Sequence, residues 1–199
     1  MAIQDKDVAD GIRSARHMSL LYSTYVLHHG QARRSVDELL DLVAEYGNCS
    51  IEVRQLEISA QGSHVRACVL VNVDGTYVIY LARGMSKPEV RFALCKELFH
   101  VLLDRDEYRN MDIYAHVEEM VLNSDLDGDP TLGAVCEQLA EFAAMEFLFP
   151  YADRVLAASS GQPNFVAIAE QRQIPLHLVE NYLSNKFMQK FSAFDDVRA

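Results

Sequence analysis

Lys96-Glu97-Leu98-Phe99-His100, within "FALCKELFHVLLD" at 92–104, lies one residue from H-E-x-x-H, the helix-borne zinc motif. In a helix, positions 96 and 100 stack on one face, one turn apart, with 97 beside them. In the complete motif the two imidazoles hold the metal. The glutamate stays off it and takes a proton from the metal-bound water, and a third protein ligand comes from elsewhere in the chain. Here a lysine stands where the first imidazole would. A protonated amine has no lone pair to give a cation, and it deprotonates only near pH ~10.4. At an effective dielectric of 20 and ~4 Å, an ammonium repels a dication by on the order of 8 kcal/mol before screening. Metal binding at such a centre is expected to be badly impaired.

The plainest alternative is a solvated helix. Ala93, Lys96, Glu97, His100 and Asp104 make one stripe at helical spacing, as the outer face of an amphipathic helix does. A downstream segment, "CEQLAEFAAMEFLFP", weighs against it. It carries Glu137 among small residues, Ala134, Ala140, Ala143 and Ala144, which let two helix backbones approach closely. Glu137 is therefore a candidate third ligand beside His100. On the bland reading, Glu137, Glu141 and Glu146 are surface charges.

Several elements must position these residues. Apolar spacing predicts a helix within about 6–29. "SVDELLDLVAEYGN" reads as a second, with a Ser35/Glu38 capping box and Gly47 at its stop. "IEVRQLEI" alternates like a half-buried strand, and "HVRACVLVNVDGTYVIYLAR" reads as a hairpin around a two-residue Asp74-Gly75 turn. Ser86, Glu89 and Pro88 then open the helix that carries Lys96 and His100. "DIYAHVEEMVLN" reads as helical and "SDLDGDP" as a loop. Asp129-Pro130 starts the Glu137 helix, which runs to Pro150. The stretch from Asn164 onward reads as two short helices broken at Ile174-Pro175. Helices, a small antiparallel sheet, then helices is an α+β order. We divide the chain into an N-terminal helical segment (1–34), a core (35–150) and a C-terminal helical segment packed on it (151–199).

The 199 residues are half apolar, enough for a sizeable core. Acidic residues outnumber basic ones by 29 to 18, for a net charge of −11, which disfavours nucleic acid and anionic lipid as partners. No apolar run is long enough to span a membrane, and the N-terminus lacks signal-peptide regions. Cys49, Cys68, Cys95 and Cys136 form no C-x-x-C pair and are expected to be reduced thiols in a cytoplasmic protein.

Taken in order, these segments resemble the ImmA/IrrE-type metallopeptidase family over roughly residues 35–190. Family members carry a helix of the form R-F-x-x-A-H-E-x-x-H-x-x-L and a later helix of the form E-x-x-A-x-x-F-A-x-x-L-L-M-P. This chain has "RFALCKELFHVLLD" and "EQLAEFAAMEFLFP". The resemblance implies a zincin-like core. It places Glu97 on the general base, His100 on the second zinc ligand and Glu137 on the third, with Lys96 on the lost first ligand. Ala143 replaces the family's phenylalanine.

Three functions follow as expectations. In the first, Lys96 serves as the cation of the site, paired with Glu97 or Glu137, in an inactive metallopeptidase-like protein that needs no cofactor. In the second, His116 or Asp104 supplies the missing ligand, and a zinc-dependent endopeptidase cleaves a helix-turn-helix repressor in a stress or mobile-element response. In the third, the protein binds such a repressor without cutting it. Other signals carry less. The acidic loop from Asn123 lacks the bidentate glutamate of a calcium loop at its twelfth position, Ala134. The closing helices offer little base-reading chemistry. His28-His29 point in different directions on a helix. Cys95 is expected to be a buried small residue rather than a thiol activated by Lys96.

Overall fold

The computed structural model describes residues 5–25, 34–57, 66–103, 132–159 and 161–196. Within them lie eight helices and three strands: α1 (Asp5–Tyr25), α2 (Val36–Gly47), β1 (Ile51–Leu56), β2 (Ala67–Val71), β3 (Tyr77–Ala82), α3 (Lys87–Leu102), α4 (Leu132–Leu148), α5 (Tyr151–Ser159), α6 (Phe165–Arg172), α7 (Leu176–Tyr182) and α8 (Asn185–Ser192). This is the expected α+β architecture. The expected helix at "DIYAHVEEMVLN", the Asp129-Pro130 start, the acidic loop and His28-His29 lie outside the described residues.

The sheet is mixed rather than antiparallel, in the order β1-β3-β2. β2 and β3 form the hairpin, with Val71 opposite Tyr77, while β1 joins the far side of β3 in parallel, Ile51 opposite Tyr77. β3 holds the central place, and its Val78, Ile79 and Leu81 are buried. β1 is not half-buried as its alternation implied. Beyond Ile51 it is exposed throughout, with an Arg54–Glu52 pair on its surface. An edge strand with one neighbour gains little cover for its side chains. The hairpin turn also differs from expectation. Asn72 N–H donates to Thr76 O and Gly75 N–H to Asn72 O, both at 2.9 Å, so the loop has three residues, Val73 to Gly75. Gly75 takes φ +84°, the left-handed position that closes such a loop.

At α2 the capping box is closed by a third residue. Ser35 Oγ accepts from Glu38 N–H at 3.3 Å. The Ser35 N–H donates to the Tyr22 hydroxyl at 2.7 Å, and that hydroxyl donates to Glu38 Oε2 at 2.5 Å. The α1 tyrosine thus stands where the glutamate itself was expected to reach. The left-handed stop is Asn48 (φ 45°), not Gly47. Gly47 is small for another reason: a Cβ there would lie 3.1 Å from Cys49 Sγ.

α3 begins as expected, with Ser86 N–H donating to Glu89 Oε2 at 2.8 Å and Pro88 in the first turn. It packs on α2, β2, β3 and α4. α4 is buried on nearly every side from Leu139 onward, and its alanines admit neighbours closely. On the α1 side, a Cβ on Gly11 would lie 3.4 Å from Leu139 O. After Pro150 the chain forms α5, which the apolar pattern did not announce. Three closing helices follow rather than two, because Ser184 caps a further turn by accepting from Phe187 N–H at 3.4 Å. One hydrophobic cluster runs from Val8 of α1 to Phe194 beyond α8.

Candidate functional site

α3 and α4 lie side by side, and their contact brings Lys96, Glu97, His100 and Glu137 together. Lys96 Nζ stands 2.5 Å from Glu137 Oε2 and 3.3 Å from Glu97 Oε1. The other oxygen of Glu137 lies 3.1 Å from His100 Nε2. One carboxylate on α4 therefore faces both positions of the i, i+4 pair on α3, one oxygen to each. The stripe on α3 is not a solvent face. Ala93 is buried, Glu97 is 1% exposed, and the Lys96 and His100 side chains are mostly covered.

The electrostatics follow from this packing. Burial by itself pulls Lys96 down, but the carboxylates of Glu97 and Glu137 outweigh it and hold the amine well above the usual lysine range. Burial likewise pushes Glu137 up, yet contact with His100 and the charge of Lys96 hold it well below the usual carboxylate range. The centre holds the Lys96 ammonium between Glu97 and Glu137. Glu97 Oε1 and His100 Nε2 are buried, and among the described residues neither has an aligned hydrogen-bond partner despite the short distances to Lys96 and Glu137.

The site residues do not fit a divalent metal as they stand. A zinc peptidase centre takes three protein ligands and a water. Among the described residues no three His, Cys, Asp or Glu side chains converge. The place where a third donor is needed holds a donor-only ammonium. The two substitute ligands, Asp104 and His116, lie outside the described residues.

Two features escaped the sequence. Cys68 of β2 feels the Lys96 centre: burial first, then Glu97, raises its thiol above the usual value. Only the hairpin's placement over α3 reveals that. Glu146, first read as a surface charge, is 3% exposed. Its carboxylate accepts from Arg16 of α1 at 3.0 Å, the Tyr151 N–H at 3.0 Å and Arg154 of α5 at 2.6 Å. A charge inside the apolar run "AAMEFLFP" was the available signal. Cys95 is fully buried, and desolvation pushes its thiol up to about 12, so Lys96 does not activate it. None of the four cysteines forms a disulfide.

The sequence profile of the IrrE N-terminal-like domain, a peptidase family, matches residues 49–184. The chain belongs to this family. It is a metallopeptidase-like protein, and the match spans both helices of the Lys96 centre. No curated protein matches this IrrE-like chain. Among solved structures, a Mycobacterium tuberculosis transcriptional regulator is similar at 14% identity with a TM-score of 0.45. The alignment covers 86% of this chain and 49% of the regulator, so the chain spans about half of that protein's length. Among the described residues no helix is long and apolar enough to cross a membrane.

Proposed function

We propose that this IrrE-like protein is a catalytically impaired metallopeptidase relative. It acts in the cytoplasm by binding a regulatory protein, a helix-turn-helix repressor being the class its family resemblance implies. The observation that carries the reading is the Lys96 ammonium, 2.5 Å from Glu137 and 3.3 Å from Glu97. A cation built into the chain takes the place of a bound one, and Glu97 is left without a metal-bound water to deprotonate. His100 and Glu137 are the remaining members of a ligand set that Lys96 interrupts.

Metal analysis of the full-length protein tests this. The expected result is no stoichiometric zinc after dialysis, and no repressor cleavage with or without chelator. Zinc held stoichiometrically and lost in His100→Ala would overturn the reading. So would chelator-sensitive cleavage that disappears in Glu97→Gln. Either result would favour the alternative, an active endopeptidase that draws a substitute ligand from Asp104 or His116. The partner is tested separately, by co-purification with a helix-turn-helix regulator encoded beside this protein.

A further inference from the structure

We propose that β1 is a self-association edge. Two copies of this chain pair their β1 strands antiparallel about a two-fold axis at Val53, and the two sheets become one. The Lys96 centre borders β2, at the other edge of the sheet. The proposal therefore stands apart from the proposed function, and its failure would leave that reading intact.

The edge is open and regular. Ser50 O accepts from Tyr77 N–H at 2.9 Å and Leu56 O from Arg83 N–H at 3.0 Å. Even-numbered residues of β1 thus turn their backbone groups to β3. Odd-numbered residues, Ile51, Val53 and Gln55, turn theirs the other way. Among the described residues no strand lies on that side. Proline, lysine and bulges are common means of blunting an edge. β1 has neither residue, and its register with β3 is unbroken from Ile51–Tyr77 to Leu56–Ala82. Val53 and Leu56 are 41% and 42% exposed, an unusual outlay of apolar surface on so short a strand.

Charge selects the occupant. The strand carries one acidic and one basic side chain, Glu52 and Arg54, each about half exposed. Two-fold antiparallel pairing sets outward-facing residues opposite outward-facing ones, so the axis passes through a residue. An axis at Glu52 sets that carboxylate against its own copy, and an axis at Arg54 sets two guanidiniums together. An axis at Val53 sets Glu52 opposite Arg54 of the second copy, and Arg54 opposite its Glu52. Val53 then exchanges both backbone hydrogen bonds with its copy. The charged residues fall at the non-hydrogen-bonded pairs, where Cα atoms approach to about 4.5 Å and side chains meet most closely. Ile51 faces Gln55 of the second copy, so no like charges meet within the strand. The same strand is thus complementary to itself in backbone parity and in charge.

The experiment is sedimentation velocity on the full-length chain at roughly 10 to 500 μM, with circular dichroism as the folding control. Wild type is expected to shift from 22.5 kDa toward twice that mass as concentration rises. Glu52→Arg and Arg54→Glu each set like charges opposite, and each should weaken association by about tenfold or more. Mixed, these two variants should associate with one another, because two arginines on one strand then face two glutamates on the other. The double variant Glu52→Arg/Arg54→Glu should regain wild-type association. Val53→Pro removes an outward N–H without touching the ladder to β3, and should give a folded monomer. A wild type that stays monomeric across the range overturns the proposal and leaves the edge to an extended segment of another protein. A dimer that persists in folded Val53→Pro, or that both single charge variants leave unchanged, overturns it as well. Should Val53→Pro fail to fold, the charge variants decide, since they exchange exposed side chains only.

Discussion

Lys96 holds its place by charge, and its removal should be felt at once by Glu97. Lys96→Met keeps most of the side chain's bulk but leaves Glu97 buried beside a second carboxylate with no cation between them. Breaking a buried pair by removing one partner costs about 3–5 kcal/mol. A urea melt should show a loss of that order, and Lys96→Met/Glu97→Gln should recover part of it, because the orphaned charge is gone. The pH dependence follows from the two shifted groups. Glu137 is depressed, so its contribution to stability is present above the usual carboxylate value of 4.5 and is lost as pH falls below it. Lys96 is raised, so its contribution is present below the usual lysine value of 10.5 and is lost as pH climbs above it. The stability plateau contributed by this centre should span those limits. In Lys96→Met the alkaline loss from this centre should vanish, as thermal midpoints across the pH range would show.

At the scale of elements, short-range chemistry was largely legible and long-range partners were not. The Ser86–Glu89 start of α3 could be read because cap and helix lie three residues apart. The Ser35–Glu38 start of α2 was read only in part. The N–H of Ser35 turns instead to Tyr22, thirteen residues upstream on another helix. Tyr22→Phe should therefore destabilise α2 and its docking on α1 by about 1–2 kcal/mol, through loss of the relay and exposure of an unmet donor. Chemical unfolding would measure this, with faster amide exchange across the first turn of α2. No loss would mean that the relay contributes nothing. The exposed β1 has a similar explanation. Its alternation was visible, but alternation does not say whether anything covers the apolar side, and an edge strand has one neighbour.

Across the whole molecule, Glu146 of α4 joins α1 to α5 by accepting from both Arg16 and Arg154. Arg154 is fully buried, and its guanidinium packs over Phe191, Tyr151 and Tyr182 at 4.8, 5.5 and 5.6 Å. Its only acceptor among the described residues is Glu146, and its Nε and Nη1 have none there. Glu146 keeps Arg16 and the Tyr151 N–H if Arg154 is lost. Glu146→Ala should therefore cost more than Arg154→Met, with about 3–5 kcal/mol expected for the former and an inverse order contradicting the asymmetry. Because one cluster runs from α1 to the closing helices, heating should produce a single transition, coincident by near- and far-ultraviolet circular dichroism. Two separated transitions would mean that the C-terminal helices fold apart.

The sequence by itself determined most of the helices, the hairpin strands, the lysine at the first-ligand position, and the family. Each depends on residue type at short separations, or on the order of such segments. Only the tertiary structure decided that the Lys96 stripe faces inward, that Glu137 splits its oxygens between positions 96 and 100, and that Glu146 is buried. Those facts depend on which helix lies against which. Periodicity gives a helix a polar side, but what lies opposite that side is set by packing between segments about forty residues apart.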